Sequence, residues 1–147
     1  MRYLPITQDN LKNAAALYIN VYNAEPWNID WSYSTAYARL MSIVKSPGFT
    51  GFLCIDDDGM PCSLIMGNME PLFDGSFYFN IKDFCVEPSK QGRGIGTEVL
   101  NYLIDNIKRQ NINKIHCHTL SLPDTEQFLK GRGFKEIDNI ITMEMNI

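Results

Sequence analysis

The apolar positions of this chain change period several times, and each change marks an element. Residues 2–6 alternate as a short strand. Leu11, Ala14, Ala15, Tyr18, Val21 and Tyr22 then fall on one stripe of a helix, with Thr7 or Asp9 as its cap. A break at Glu25-Pro26-Trp27-Asn28 leads to a second helix, capped by Ser34 and running to about Lys45, where Pro47-Gly48 stops it. Residues 49–55 and 62–69 predict a hairpin around Asp56-Asp57-Asp58-Gly59, and residues 76–86 a longer strand. Ile95, Val99, Leu100, Leu103, Ile104 and Ile107 return to helical spacing. Residues 114–120 predict another strand, 123–132 a short helix ending at Gly133, and 134–137 with 140–145 two closing strands.

The resulting order is β-α-α-β-β-β-α-β-α-β-β. Hairpins are antiparallel, whereas a β-α-β crossover makes a parallel pair, so the fold class is α/β in the α+β sense, with a mixed, mostly antiparallel sheet. The 147 residues suit one domain, 1–147, which at this length buries roughly 70% of its extended-chain surface. No repeat, low-complexity tract or linker interrupts it.

Composition narrows the partners. The chain is 45% hydrophobic and 20% charged, and its 13 basic against 17 acidic residues give a net charge of −4. That balance argues against nucleic acid and against an anionic membrane. It suits a cationic substrate, although so modest a negative charge more often simply serves solubility. No apolar run approaches bilayer length and the first residues lack a signal-peptide core, so a cytoplasmic location is expected. Cys54, Cys85 and Cys117 lie in apolar runs and no C-x-x-C occurs, which reads as buried reduced thiols. His116 and His118 share a strand face without a further ligand nearby in sequence, so no metal is expected.

The chemistry concentrates in residues 82–97, Lys82-Asp83-Phe84-Cys85-Val86-Glu87-Pro88-Ser89-Lys90-Gln91-Gly92-Arg93-Gly94-Ile95-Gly96-Thr97. A strand ends at Pro88, and three glycines at alternate positions open a helix. Glycine lets the backbone turn tightly and approach a ligand, and the helix start presents N–H donors at the positive end of its dipole. That is a pyrophosphate cradle, with Lys90 and Arg93 as cations at its rim. A dinucleotide fingerprint would need glycine where Thr97 stands, and a Walker loop would need a lysine after Gly96.

Gln91-Gly92-Arg93-Gly94-Ile95-Gly96 resembles the Q/R-x-x-G-x-G/A signature of the GNAT superfamily of acyl-CoA-dependent N-acyltransferases. Phe84-Cys85-Val86, Pro88, the element order and Gly133-Phe134 are similar to the same family. More finely, Pro26-Trp27, Trp31 and Asp83 resemble its aminoglycoside 6′-N-acetyltransferase subgroup. The resemblance implies helices on both sheet faces and a central strand that splays from its parallel neighbour. It implies acetyl-CoA as cosubstrate, held by Phe84, Cys85, Val86, Gln91, Gly92, Arg93, Gly94, Ile95, Gly96 and Thr97. An N–H of the central strand, that of Val86, would meet the thioester oxygen.

The same resemblance makes Asp83 the candidate base for the substrate amine, with a purely structural carboxylate as the equal alternative and Glu70 in reserve. Trp27, Trp31 and Tyr33 flank the loop that walls the acceptor site in this family, where Trp27 could also be ordinary core. Many members carry a tyrosine that protonates the departing thiolate. Here Leu129 holds that position and Leu122 that of the asparagine before it, so the general acid is in doubt. The activity implied is transfer of an acetyl group to a primary amine of a small cationic molecule. Acetylation of a protein N-terminus or lysine, and a non-catalytic CoA sensor, are the alternatives, and assembly as a homodimer is left open.

Overall fold

A computed structural model describes residues 1–147. In chain order the elements are β1 (Arg2–Pro5), α1 (Leu11–Tyr22), α2 (Tyr33–Val44), β2 (Phe49–Ile55), β3 (Pro61–Pro71), β4 (Phe77–Val86), α3 (Ile95–Ile107), β5 (Ile112–Cys117) and α4 (Pro123–Gly131), with one 3-10 turn at Pro88–Lys90. The five strands lie in the order β1-β2-β3-β4-β5. The first four are antiparallel neighbours, and the α3 crossover makes β4 and β5 parallel. No helix is long and apolar enough to cross a membrane.

Period-two alternation gives the sheet two apolar faces, each with its own core. Leu53, Leu64 and Met66 pack under α1 and α2 through Leu11, Ala14, Ala15 and Leu40. Phe52, Ile65, Phe79 and Ile81 pack under α3 through Val99, Leu100, Leu103 and Ile107. Each large side chain so buried contributes about 1.5–3 kcal/mol of transfer free energy. Cys54, Cys62 and Cys85 are free thiols inside these cores, and Cys117 is half-buried.

Three expectations are corrected. The cap of α2 is Ser32, not Ser34: the Thr35 N–H donates to Ser32 Oγ at 3.2 Å and the Ser32 N–H donates to Thr35 Oγ1 at 3.1 Å. This reciprocal box satisfies two orphan groups, which Ser34, already inside the first turn, could not do. The cap position of α1 is Asn10 rather than Thr7 or Asp9. Its side chain bridges the Thr7 N–H and the Pro5 carbonyl, each at 2.9 Å, instead of capping the helix.

The closing strands at 134–137 and 140–145 are absent. A turn forms between them, with the Ile140 N–H donating to the Ile137 carbonyl at 3.3 Å. The apolar side chains of Ile141, Met143, Met145 and Ile147 stand in solvent. Alternation becomes a strand only when a neighbouring edge supplies the ladder and a core covers one face, and this segment has neither.

Candidate active site

The site begins with one extra residue in β4. Ile81 pairs with Gly67 of β3 and Asp83 pairs with Met66, which leaves Lys82 without a partner. Such a bulge bends its strand and exchanges the faces of everything beyond it. Before the bulge, the odd residues Phe79 and Ile81 lie under α3. After it, the odd residues Asp83 and Cys85 lie under α1 and α2. A Cβ at Gly67 would come 2.1 Å from the Asn80 carbonyl oxygen, so the strand can close on the bulge only over a glycine.

Beyond the bulge β4 keeps β3 but loses β5, whose pairing stops at Ile81 and Cys117. The Glu87 N–H donates to the Cys62 carbonyl at 2.8 Å, so odd residues here turn their main-chain groups toward β3. By alternation the N–H and C=O of Phe84 and Val86 face the splay. Their carbonyls are already engaged: Tyr22 Oη donates to that of Phe84 at 3.2 Å and Gln91 Nε2 to that of Val86 at 3.0 Å. Cys85, expected among the cofactor-binding residues, lies away from the splay: its side chain is buried in the α1–α2 core and its carbonyl accepts from Ser63 Oγ on β3.

Next to the splay stands the glycine turn. Gly92 at φ 72° and Gly94 at φ 83° occupy the left-handed region that side chains disfavour. Gly94 is the cap residue of α3 and offers no side-chain acceptor, so the first-turn amides have no capping side chain. Ile95 and Thr97 are half-buried in that first turn. Gly96 has a different role: a Cβ there would sit 3.4 Å from the Phe128 ring and 3.6 Å from Val86, where α3, β4 and α4 meet. Arg93 is exposed at the mouth. Lys90 is not a free rim cation, because its ammonium is paired with Asp56 in the hairpin turn.

Asp83 is held by two side chains. Tyr18 Oη donates to Oδ1 at 3.2 Å, and Arg39 reaches Oδ2 with Nε at 3.1 Å and Nη2 at 3.1 Å. Burial raises its pKa to about 6, and the Arg39 guanidinium and Tyr18 hydroxyl only partly offset that rise. Burial likewise pushes the Tyr18 and Tyr22 hydroxyls upward, so both remain protonated donors.

Comparison with known proteins agrees with this geometry. A profile of the Acetyltransferase (GNAT) family matches residues 11–134. The chain belongs to the GNAT acetyltransferase family. Among solved structures, it is similar to an aminoglycoside antibiotic 6′-N-acetyltransferase from Acinetobacter haemolyticus, at TM-score 0.79 and 12% identity, covering 100% of this chain and 99% of that one. The corresponding enzyme from Acinetobacter baumannii aligns at TM-score 0.76 and 14% identity, over 99% and 98% of the two chains. An integron cassette protein from V. cholerae reaches TM-score 0.82 at 16% identity, over 99% and 91%. At such identities the likeness is one of fold. No curated protein matches.

The remaining candidates of this GNAT domain divide. Trp27 packs edge-on against Tyr22 at 5.3 Å and Trp31 against Tyr18 at 5.4 Å, so each indole backs a tyrosine that bonds to β4. Trp31 also keeps a buried Nε1 donor without a partner. Tyr33 is exposed and stacks on Tyr37. Glu70 lies on β3, where its carboxylate accepts from Asn68 Nδ2 at 3.0 Å. Leu129 lies on α4 beside Phe128, whose ring meets that of Phe84 at 5.9 Å, and adds no proton donor there. A cleft of about 180 Å³ separates Pro26 from the first turn of α4, Leu122 to Thr125.

Sequence reasoning missed Arg39, and it read Tyr18 and Tyr22 only as members of an apolar stripe. A signal was present, since two hydroxyls on a buried helical stripe require acceptors.

Proposed function

We propose that this GNAT domain transfers the acetyl group of acetyl-CoA directly to a primary amine of a small cationic molecule. The observation that carries the proposal is the splay: β4 turns the N–H groups of Phe84 and Val86 to an edge that β5 has left, beside the glycine turn of α3. The residues present fit the cosubstrate. Gln91 to Thr97 supply first-turn amides, two left-handed glycines and the Arg93 cation for a pyrophosphate. The Phe84 N–H supplies a main-chain donor for an extended amide chain.

In the transfer, the amine nitrogen forms a bond to the thioester carbonyl carbon, the C–S bond breaks and the thiolate leaves. The Val86 N–H stabilises the oxyanion, a donor typically worth about 10²–10³ in rate. Asp83 takes the proton that the amine loses, and its pKa of about 6 suits it to hold that proton. Trp27 and Trp31 wall the acceptor side, and the cytoplasm is the expected location. Substrates named for the Acinetobacter proteins make aminoglycosides one acceptor class to try. A non-catalytic CoA sensor is the second reading, favoured by the missing proton donor at Leu129.

The test is mass spectrometry of the purified protein with acetyl-CoA and pooled polyamines, amino sugars and aminoglycosides. A new acetylated species, dependent on protein, is expected. CoA binding without any acetylated product would favour the sensor.

A further inference from the structure

Asn68 on β3 and Asn80 on β4 are direct cross-strand partners, each only 8% exposed, and the Oδ1 of each is buried without a donor. Buried amide oxygens in native proteins are nearly always bonded, so two side by side without a protein partner mark a place that calls for donors. The orientation of Asn68 is set by its Nδ2, which donates to Glu70. Its oxygen is therefore the atom in need of a donor. Glu70 lies two residues along β3 on the same face, opposite Tyr78, and His116 of β5 pairs in register with Asn80.

A group that suits the Asn68 oxygen beside the Glu70 carboxylate, with the Asn80 amide able to turn its own oxygen to the same place, carries donors only and a positive charge, which describes an ammonium. A hydroxyl or an amide would bring lone pairs of its own. The nearby cations do not fill this place: Arg39 is bound to Asp83, and Lys114, the register partner of Tyr78, lies close enough to Asp74 to help lower its pKa.

Position gives the spacing. The bulge at Lys82 puts Asp83 on the same face as Asn80, and the Asn68–Asn80 pair lies two residues along β3 from the Met66–Asp83 pair. Two strand steps amount to about 7 Å. We propose that Asn68, Asn80 and Glu70 form a subsite for a second ammonium of the acceptor, so that the substrate is a diamine or polyamine whose cations lie about 7 Å apart. The proposal rests on the acetyl-transfer reading for the identity of the first amine.

The test is calorimetric titration of the full chain with 1,5-diaminopentane and with pentylamine, which shares its carbon chain and one ammonium. The diamine should bind at least about tenfold more tightly to the wild type. That advantage should collapse in Asn80→Leu and also in Glu70→Gln, the latter altering a less buried position and guarding against a folding defect in the former. Equal binding of the two amines by the wild type overturns the subsite, as does an advantage that survives both substitutions. The asparagines are then a structural or hydrated pair. A diamine advantage without any acetylation removes the transfer reading and leaves the subsite. Acetylation without a diamine advantage does the reverse.

Discussion

Arg39 and Asp83 meet 44 residues apart in sequence, with Nε and Nη2 of the guanidinium both 3.1 Å from Oδ2 of the carboxylate. The pair joins α2 to the strand that forms the candidate catalytic edge. It also keeps the pKa of a mostly buried carboxylate from rising further, since removal of the guanidinium would leave only the Tyr18 hydroxyl to oppose burial. Arg39→Gln should therefore move the acidic limb of the pH–rate profile upward from near 6. An acidic limb that stays in place would mean that Asp83 does not govern the rate.

The same carboxylate makes stability depend on pH. Its folded pKa of about 6 lies above the ordinary value of 3.8. The folded state thus holds the proton more tightly, and that stabilisation is full below about 4 and lost as pH rises through 6. Relative to Asp83→Asn, the wild type should lose on the order of 3 kcal/mol between pH 4 and 7. Denaturant midpoints across that range check it, and parallel curves would show that Asp83 titrates normally.

Catalysis gives an independent reading of Asp83. If it accepts the amine proton, Asp83→Asn should lower kcat by about 10²–10⁴ and leave CoA affinity nearly unchanged. The deficit should shrink at alkaline pH, where the amine is already neutral. An unchanged kcat would reduce Asp83 to the anchor of Arg39 and Tyr18.

At the cofactor turn, Gly94→Glu should abolish the rise in Tm that acetyl-CoA gives the wild type by mass action. The substitution places a side chain and a negative charge at the cap of α3, where φ is 83°. A wild type whose Tm responds to neither acetyl-CoA nor CoA at saturation would refute the pyrophosphate site itself.

Gly67 tests the bulge. With 2.1 Å between a new Cβ and the Asn80 carbonyl, Gly67→Ala must push the strands apart. A loss of about 1–3 kcal/mol is expected, roughly 3–10 °C in Tm for a domain of this size. Activity should fall more steeply than stability, because the bulge sets which residues face the acceptor. A variant as stable and active as the wild type would disprove the steric argument.

Leu129 addresses the departing thiolate. A thiol with a pKa near 8.5 can leave without full protonation, so under the proposed transfer the lost acid should cost about 10²-fold without silencing it. Leu129→Tyr should raise kcat on the best amine with CoA affinity nearly unchanged. No gain would mean that the acid comes from elsewhere or is not needed.

The sequence by itself determined the parts governed by local forces. Helical stripes, strand alternation and the Gly92–Gly96 turn are written in neighbouring residues, and their elements appear where the pattern puts them, within a few residues. The glycine turn was legible as a turn that opens a helix, and the proposal that it cradles a phosphate rests on its consecutive main-chain amides. What only the tertiary structure decided is which side of the sheet each residue beyond the bulge serves. One unpaired residue, Lys82, reverses the alternation, so Asp83 joins Arg39 and Tyr18 and not the α3 core. A bulge arises from how two strands meet, and β4 alone carries no sign of it. The partners of Asp83 were illegible for the same reason, since they come from two helices far away in sequence. The tail failed in the opposite sense. Its alternation is clear, yet Ile141 to Ile147 forms no strand, because a strand exists only against a neighbour and no local pattern can supply one.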